Sequence, residues 1–305
     1  MAVRVGVIGV GYLGQHHARI YSEIEVAELV AVVDVDLKRA GAFAEQYNCE
    51  ASDDYRKIFE KVDALSIVTP TTLHYEVALE CLRAGKDILI EKPITTTVAE
   101  ADELISESRE RNCIIQVGHL ERYNPAILAA ADFFGSPVFI ESERLSPFLG
   151  RATDVDVTLD LMIHDIDIML SLIAKPVKTV RAVGGKVLTD KLDVAKAWLE
   201  FEGGCAALAT VSRMSPEKRR TLKVFQKDAL ISIDYQNAEI KRFFRKGEEI
   251  ASETIRPEKK EPLREELQDF IRCVRDRSAP KVSAVEGRDA LRIVLEINEM
   301  IKNGS

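Results

Sequence analysis

The chain has 305 residues, of which 30% are charged, and its formal net charge at pH 7 is −8. This length is typical of about two domains, and an acidic chain lacks the basic surface that nucleic acids require. Its apolar runs are much shorter than the roughly 18 residues of a membrane-spanning helix. Because residues 1–4 lead directly into the first predicted strand, we expect no signal peptide. We therefore expect partners that include neither nucleic acid nor membrane.

Cysteine usage indicates the compartment. The chain has five scattered cysteines, namely Cys49, Cys81, Cys113, Cys205 and Cys273. The odd count and the lack of a Cys-x-x-Cys pair argue against a disulfide framework and against a zinc site. This pattern is typical of a reducing environment, so we expect a cytoplasmic protein without a metal site.

Strand and helix patterns alternate over the first 120 residues. Predicted strands cover residues 5–8, 29–33, 64–68, 87–90 and 114–117. Predicted helices cover residues 14–20, 37–46, 73–84 and 97–111, and a Thr-x-x-Glu capping box opens the last of them. Such alternation predicts a parallel sheet with right-handed crossovers and with ligands at the carboxyl ends of its strands.

The turn after the first strand fits the pattern Gly-x-Gly-x-x-Gly, with Gly9, Gly11 and Gly14. These glycines allow a tight turn, a close approach to a pyrophosphate and close packing of helix on strand. The second strand leads into Asp34, 20 residues after Gly14, where a carboxylate would bind a ribose hydroxyl. This context predicts a dinucleotide-binding domain. The alternative is a glycine turn with an incidental acid.

The charge of Asp34 indicates which dinucleotide binds. Its carboxylate would repel the 2′-phosphate of NADP, so we expect NAD as the cofactor and NADP as the less favoured one. Lys38 and Arg39 follow closely in the chain. We expect both side chains to face solvent from the helix after Asp34.

The pattern changes after residue 120. Helices are predicted over residues 124–133, 158–174, 263–277 and 283–302, and strands over residues 138–145, 195–201, 205–213, 221–226, 230–235, 239–245 and 250–255. We expect an α/β chain with an N-terminal Rossmann domain, 1–120, and a C-terminal α+β domain, 121–305, built on a mostly antiparallel open sheet, with the last helices free to pack back on the first domain. Residues 205–211 are apolar on both faces, which favours a homodimer or homotetramer formed through this sheet over helices on both faces.

The helix predicted over residues 158–174 is apolar on nearly every side except for one polar stripe. Its members are Asp160, His164, Asp167 and Ser171. Polar groups on a buried helix cost free energy unless they are paired or functional. The functional interpretation is an acid–base pair in which Asp160, one turn before His164, orients the imidazole. The alternatives are a satisfied polar network and a metal site from His164, Asp165 and Asp167, which lacks a second His or Cys at ligand spacing.

Two short stretches follow predicted strands at the ligand edge of the first sheet, residues 69–74 and residues 91–93. Lys92 lies between Glu91 and Pro93, at the place where the nicotinamide ring should lie. A lysine held in this way is a candidate proton-transfer group. The alternative is an ordinary lysine at a strand end.

Four separated motifs occur in the same order as in the Gfo/Idh/MocA oxidoreductases, which the chain resembles over essentially its whole length. They are the glycine turn with Asp34, residues 69–74, residues 84–93 and residues 160–167. The resemblance implies a Rossmann domain, an α+β domain whose open sheet mediates oligomers, and a catalytic group of Lys92, Asp160 and His164. It implies cofactor contacts from Gly9, Gly11, Tyr12, Leu13, Gly14, Asp34, Thr69, Pro70, His74, Glu91 and Lys92. Met162 departs from the family pattern, since many relatives have glycine there.

Residues 116–125, 143–151 and 154–156 are similar to segments of nucleotide-sugar 3-dehydrogenases within this family. This similarity implies hydride transfer to NAD from C3 of a UDP-N-acetylhexosamine, as in the preparation of sugars for lipid A or surface polysaccharides. It implies a substrate-binding set of Arg122, Tyr123, Arg144, Arg151, Asp160 and His164, because guanidinium groups suit diphosphate oxygens. Each arginine has an alternative role as a surface or interdomain ion-pair partner.

The rival functions are a family enzyme acting on a free polyol such as inositol, a dinucleotide-binding regulator without catalysis, and a metal-dependent hydrolase. The presence of Lys92, Asp160 and His164 together favours an enzyme. In the mechanism we expect, His164 removes the hydroxyl proton, Asp160 sets its tautomer, and Lys92 stabilises the developing alkoxide. From sequence alone, the roles of His164 and Lys92 are interchangeable.

Overall fold

The computed structural model describes residues 2–148, 150 and 155–304. The chain forms two compact units. The first comprises Met1–Leu120 and Glu261–Arg288, and the second comprises Glu121–Lys260 and Asp289–Ser305. Each unit is built around its own β-sheet and its own apolar core.

Six parallel strands form the sheet of the first unit. They are β1 (Val3–Ile8), β2 (Ala27–Val33), β3 (Glu50–Ser52), β4 (Ala64–Ile67), β5 (Asp87–Glu91) and β6 (Ile115–Gly118). The helices between them are α1 (Gly14–Glu23), α2 (Leu37–Tyr47), α3 (His74–Arg83) and α4 (Val98–Arg111), with 3-10 turns at Tyr55–Lys61 and Thr71–Leu73. The strand order β3-β2-β1-β4-β5-β6 is that of a doubly wound dinucleotide-binding sheet, so the predicted Rossmann topology is confirmed.

Burial and capping explain these elements. β4 and β5 are buried along their whole length, as expected for central parallel strands that helices cover on both faces. Asp36 caps α2, and the capping box predicted for α4, between Thr97 and Glu100, is present. The sequence does not predict β3, because its three residues are too few to show a period.

Eight strands form the sheet of the second unit. They are β7 (Pro137–Leu145), β8 (Val177–Gly185), β9 (Val194–Phe201), β10 (Ala206–Ser212), β11 (Arg219–Gln226), β12 (Ala229–Asp234), β13 (Glu239–Lys246) and β14 (Glu249–Ile255). Their order is β14-β13-β12-β11-β7-β10-β9-β8, and every neighbouring pair is antiparallel except β7 with β10. The mostly antiparallel α+β architecture is therefore confirmed. The sequence does not predict β8, because only one residue of this edge strand, Val180, is buried and the strand ends in two glycines.

The remaining helices are α5 (Pro125–Ala130), α6 (Ile163–Ile173), α7 (Pro262–Asp276) and α8 (Ala284–Asn303). A π-helical turn, Thr158–Met162, precedes α6 where the sequence predicts one continuous α-helix. α7 belongs to the first unit, and α8 begins in the first unit and continues in the second. No helix within the described ranges combines the length and the apolar character needed to cross a bilayer.

One face of the second sheet packs against helices. Ile166 and Met169 of α6 share a buried core with Ala207 and Ala209 of β10. On the opposite face of β10, Leu208 is only half-buried within the chain. The strand that is apolar on both faces therefore has one covered face and one open face.

Candidate functional site

A glycine turn leads from β1 into α1 at the carboxyl edge of the first sheet. Gly9 has a φ of +90°, and a Cβ on Gly14 would lie 1.8 Å from the carbonyl oxygen of Gly9, so both positions require glycine. A Cβ on Gly11 would meet nothing within 4 Å, so this part of the turn is open to a ligand. Tyr12 beyond it is exposed, and Leu13 is half-buried.

A cavity of about 650 Å³ lies beside this turn in the first unit. Among its lining residues are Gly9, Gly11, Asp34, Arg39, Thr69 and Pro70. Apolar side chains that include Val33 and Val77 complete its walls. Bare backbone at a helix start suits a pyrophosphate, and apolar walls with a carboxylate at the end of β2 suit an adenosine. The residues present therefore fit the NAD that the sequence predicts.

Asp34 follows β2 and is almost fully buried. Its Oδ2 accepts a hydrogen bond from the Val10 N–H at 3.1 Å, and its Oδ1 accepts one from the Asp36 N–H at 2.9 Å. Nη1 of Arg39 lies 3.3 Å from Oδ2 of Asp34. The Arg39 side chain is 48% exposed, as expected, and the first turn of α2 also brings its guanidinium to this carboxylate. Lys38 is exposed, as expected.

His74 connects the loops that follow β4 and β5. Its Nδ1 lies 2.8 Å from the carbonyl oxygen of Pro93, and its Nε2 lies 2.9 Å from that of Thr69. Burial lowers the pKa of His74, although both carbonyl partners favour the protonated form. The ring therefore fixes the backbone at the edge of the cavity. Pro70, also predicted at the cofactor, is exposed in this edge.

Lys92 follows β5 and is half-buried, and its neighbour Glu91 is held from several sides. Oε2 of Glu91 accepts a hydrogen bond from the Lys92 N–H at 3.3 Å. Oε1 of Glu91 lies 3.3 Å from Nε2 of His17 in α1. A Cβ on Gly118 would lie 2.9 Å from the Glu91 carboxylate, so β6 makes room for this acid by having glycine there. Contacts from α1, β5 and β6 thus fix the residue beside Lys92.

The sequence analysis does not identify His17, which is fully buried. A signal was present in the spacing of α1. Gly14, His17, Ala18 and Tyr21 lie three and four residues apart and form its buried face. A histidine on such a face predicts a buried polar neighbour. That neighbour is Glu91.

Asp160 and His164 are both half-buried, Asp160 in the π-helical turn and His164 in the first turn of α6. The other members of the predicted stripe have different surroundings. Asp167 is buried, with its Oδ2 3.9 Å from Nε of Arg122. Ser171 donates a hydrogen bond to the backbone of its own helix at 2.8 Å. Asp160 and His164 are therefore the accessible acid and imidazole of this helix.

Among residues 2–148, 150 and 155–304, no three or more His, Cys, Asp and Glu side chains form a group that could hold a metal ion. Asp165, part of the metal interpretation of the helix, binds a guanidinium instead. Both of its carboxylate oxygens accept hydrogen bonds from Arg144 at 3.0 Å.

Arg144 is a buried cation between two acids in the second unit. Besides the two bonds to Asp165, its Nη1 donates to Oε1 of Glu121 at 2.7 Å. Its guanidinium also lies 5.6 Å from the ring centroid of Tyr235. Burial alone would raise the pKa of the Glu121 carboxyl, but the charge of Arg144 holds that pKa below its ordinary value. All three nitrogens are engaged and the side chain is 2% exposed. The structure therefore speaks against Arg144 as a diphosphate ligand and assigns it the ion-pair role.

The other predicted substrate residues differ in accessibility. The Arg122 side chain is 12% exposed, beside Asp167, and Tyr123 is buried. Arg151 lies outside the described residues.

Arg220 in β11 is a cation that the sequence analysis does not identify. Its Nη1 lies 3.7 Å from Oε1 of Glu121, and 36% of its side chain is exposed. The Glu121 oxygen makes its shorter contact with Arg144, and the Arg220 guanidinium donates no hydrogen bond to any residue that the structure describes. Burial and the charge of Arg144 lower the pKa of Arg220, while carboxylates that include Asp160 oppose this effect. The sequence offers one signal for this residue. Arg220 lies two residues before the buried Leu222, so both side chains are on the same face of the strand.

Comparison with protein families gives matches to both units. Residues 3–119 match the oxidoreductase family with an NAD-binding Rossmann fold, described as GFO_IDH_MocA. Residues 129–232 match the GFO/IDH/MocA C-terminal domain.

Known proteins are similar over nearly the whole chain. UDP-N-acetylglucosamine 3-dehydrogenase of Acidithiobacillus ferrooxidans is 37% identical, over 98% of this chain and 97% of the relative. A solved structure of that enzyme has a TM-score of 0.94 and covers 99% of both chains. The NAD⁺-dependent scyllo-inositol 2-dehydrogenase of Bacillus subtilis is 27% identical, over 99% of this chain and 95% of the relative. Levoglucosan dehydrogenase in complex with NADH shares the fold, with a TM-score of 0.91 and 18% identity.

Proposed function

Because the chain belongs to the GFO/IDH/MocA family of NAD-dependent oxidoreductases, we propose that it oxidises C3 of the sugar in UDP-N-acetylglucosamine or a closely similar UDP-N-acetylhexosamine. The observation that carries this proposal is the 37% identity to UDP-N-acetylglucosamine 3-dehydrogenase over 98% of the chain. The cavity beside the glycine turn supports it, since its residues suit the dinucleotide that such a reaction needs.

In the proposed reaction, bound NAD supplies the acceptor for the hydride. An alcohol is a poor hydride donor until its proton leaves, so a base must lie within hydrogen-bond reach of the hydroxyl. His164 takes this proton, and Asp160 favours the imidazolium that results. Lys92, fixed beside the clamped Glu91 carboxylate, donates to the developing alkoxide.

Arg220 is the residue we propose for the substrate diphosphate. Its guanidinium is half-exposed, has only a 3.7 Å contact with a carboxylate, and lies in the electrostatic field of Asp160. Guanidinium groups bind phosphate oxygens with paired, charge-assisted hydrogen bonds. Glu121 makes its short contact with Arg144 and not with Arg220. The Arg220 guanidinium is therefore available to a phosphate.

We also propose that a second copy of the chain covers the open face of the second sheet. Phe139, Trp198 and Phe225 form an aromatic cluster there, with ring centroids 5.5 and 5.8 Å apart. Aromatic clusters on a partly exposed sheet face are typical of protein interfaces. A cytoplasmic location is consistent with cysteines that are all free and with a nucleotide-sugar substrate.

The test is the formation of NADH from NAD⁺ by the pure protein with a panel of sugars. The panel contains UDP-N-acetylglucosamine, UDP-glucose and myo-inositol. We expect NADH with the first, and a product whose oxidised carbon, identified by NMR, is C3. NADH with myo-inositol alone would replace the proposal with a polyol dehydrogenase, which the similarity to scyllo-inositol 2-dehydrogenase would then explain. Denatured protein is also assayed for released nicotinamide, so that a tightly bound cofactor is not mistaken for inactivity.

A further inference from the structure

The carboxylate of Asp34 accepts hydrogen bonds from the backbone, in addition to any contact with a ribose. It accepts the Val10 N–H of the glycine turn and the Asp36 N–H that precedes α2. A carboxylate offers about four lone-pair sites, so these two bonds leave part of its capacity for a cation or a hydroxyl. Part of this capacity is taken by Arg39, whose Nη1 lies 3.4 Å from Oδ1 and 3.3 Å from Oδ2.

The contact between Arg39 and Asp34 is loose. Charge-assisted hydrogen bonds between guanidinium and carboxylate groups are usually about 2.7–2.9 Å long, which is shorter than either distance here. The second arm of the guanidinium, Nη2, lies 3.6 Å from Oδ2 of Asp36. The Arg39 side chain is 48% exposed. It can therefore exchange both acids for a better anion without breaking a buried pair.

Arg39 also lines the cavity that fits the dinucleotide. A second cation, Arg56, lines it too, but its nitrogens contact Glu80 at 2.7 Å and Asp54 at 3.3 Å. Its guanidinium also lies 4.6 Å from the ring centroid of Tyr55. Arg39 is thus the more weakly held of these two arginines, and it contacts the carboxylate that the sequence predicts for the ribose.

We propose that Arg39 is a latent ligand for the 2′-phosphate of NADP, kept from that role by Asp34. The acid both neutralises the guanidinium and repels a phosphate at the 2′ position. Removal of the Asp34 charge alone should therefore change the preference of this site from the 2′-hydroxyl of NAD to the 2′-phosphate of NADP. The Asp34→Asn variant is the suitable change, because asparagine keeps an oxygen that can accept the Val10 N–H.

The experiment measures binding without turnover. Four proteins are compared: the natural chain, Asp34→Asn, Arg39→Gln, and the double variant. Lys38→Gln serves as the matched control, since Lys38 is exposed and precedes Arg39 but is not one of the residues that line the cavity. Fluorescence titration measures the affinities for NADH and NADPH. The affinities for 2′,5′-ADP and 5′-AMP are also compared, because these two ligands differ only in the 2′-phosphate and lack the nicotinamide.

In Asp34→Asn, we expect the NADPH-to-NADH affinity ratio to rise by about 10- to 100-fold, the value of one or two charge-assisted hydrogen bonds. The double variant should lose most of that gain, and Lys38→Gln should change the ratio by less than about twofold. An equal ratio in Asp34→Asn and the double variant would overturn the proposal. So would no rise in an Asp34→Asn protein that still binds 5′-AMP.

If Asp34→Asn fails to fold, Asp34→Ser takes its place, because a serine hydroxyl can also accept the Val10 N–H. Arg39→Gln should then weaken 2′,5′-ADP binding relative to 5′-AMP in the Asp34→Ser background, and unchanged relative binding there would refute the role of Arg39. Because no sugar is present, these results are independent of the proposed substrate.

Discussion

Replacement of Arg144 by methionine removes a cation that lies between two buried acids of the second unit. The Asp165 side chain is 1% exposed and that of Glu121 is 10% exposed, so neither carboxylate gains solvent in exchange. Breaking a buried ion pair by removing one partner typically costs about 3–5 kcal/mol of folding stability. Methionine has a similar length, so the cavity left behind is small and the loss of charge dominates. We therefore expect Arg144→Met to lower the free energy of unfolding by about 3–5 kcal/mol at pH 7.

The pH dependence of this loss has a definite sign. In the natural chain the pKa of Glu121 is below its ordinary value, so the stability it contributes is present above about pH 4.3 and is lost as the pH falls through the folded-state pKa. Without Arg144, burial and the neighbouring Asp165 raise the pKa of Glu121 above its unfolded value. Protonation then favours the folded variant. The difference between the two proteins should shrink as the pH falls from 7 to about 4.

Urea unfolding at several pH values measures both effects. Arg219→Met is the matched control, because Arg219 precedes Arg220 in β11, is 51% exposed and pairs with Glu143 at 3.3 Å. An exposed pair of this kind contributes about 0–1 kcal/mol. If Arg144→Met costs less than about 1 kcal/mol and instead raises the KM for the UDP-sugar, Arg144 is a substrate ligand and the structural argument is refuted.

Three further predictions concern other parts of the chain. Arg220→Gln should raise the KM for UDP-N-acetylglucosamine about tenfold and change kcat by less than about twofold, since one charge-assisted contact to the diphosphate is lost. The control Arg219→Gln should change neither constant. An unchanged KM of Arg220→Gln in steady-state assays would remove Arg220 from the diphosphate site. His164→Ala and Lys92→Ala should each lower kcat by about 10²–10⁴-fold, and their double variant should be little worse than the poorer single variant if both act on one hydroxyl. Near-normal turnover of both single variants would contradict the mechanism. Burial alone would raise the pKa of Asp193, but hydrogen bonds from three backbone N–H groups lower it to about 2. The natural chain should therefore lose stability between about pH 4 and pH 2 relative to Asp193→Asn; parallel stability curves would disprove this role.

The first unit could be predicted in detail because its determinants are local. Gly9 is required by its positive φ and Gly14 by its approach to the carbonyl oxygen of Gly9, and the spacing to Asp34 reflects a single strand–helix–strand segment. The position of Arg39 was not accessible in the same way. It depends on where Asp36 starts α2 and thus on which side of the helix the third residue after it faces. A shift of one residue in that cap would turn the side chain by about 100°.

The polar interior of the second unit could not be predicted because its partners are distant in sequence. Arg144 lies 23 residues from Glu121 and 21 residues from Asp165, and it meets them only after β7 has entered the sheet and α6 has packed on it. An arginine in an alternating strand reads equally well as a surface residue or as a ligand. Arg220 is ambiguous for the same reason, since its pairing opposite Arg144 is set by the register of β11 on β7.

The buried ion pair also bears on the proposed catalytic residues of α6. Consecutive helical residues point about 100° apart, so the rotation that turns Asp165 towards Arg144 also fixes the direction of His164. Asp165 is fully enclosed while His164 is half-buried, which is the difference that such a rotation produces. We therefore expect Arg144 to act on His164 as a positioning residue through the helix. In Arg144→Met, a fall in kcat with an unchanged KM, under conditions where the variant is folded, would distinguish this positioning role from a role in substrate binding.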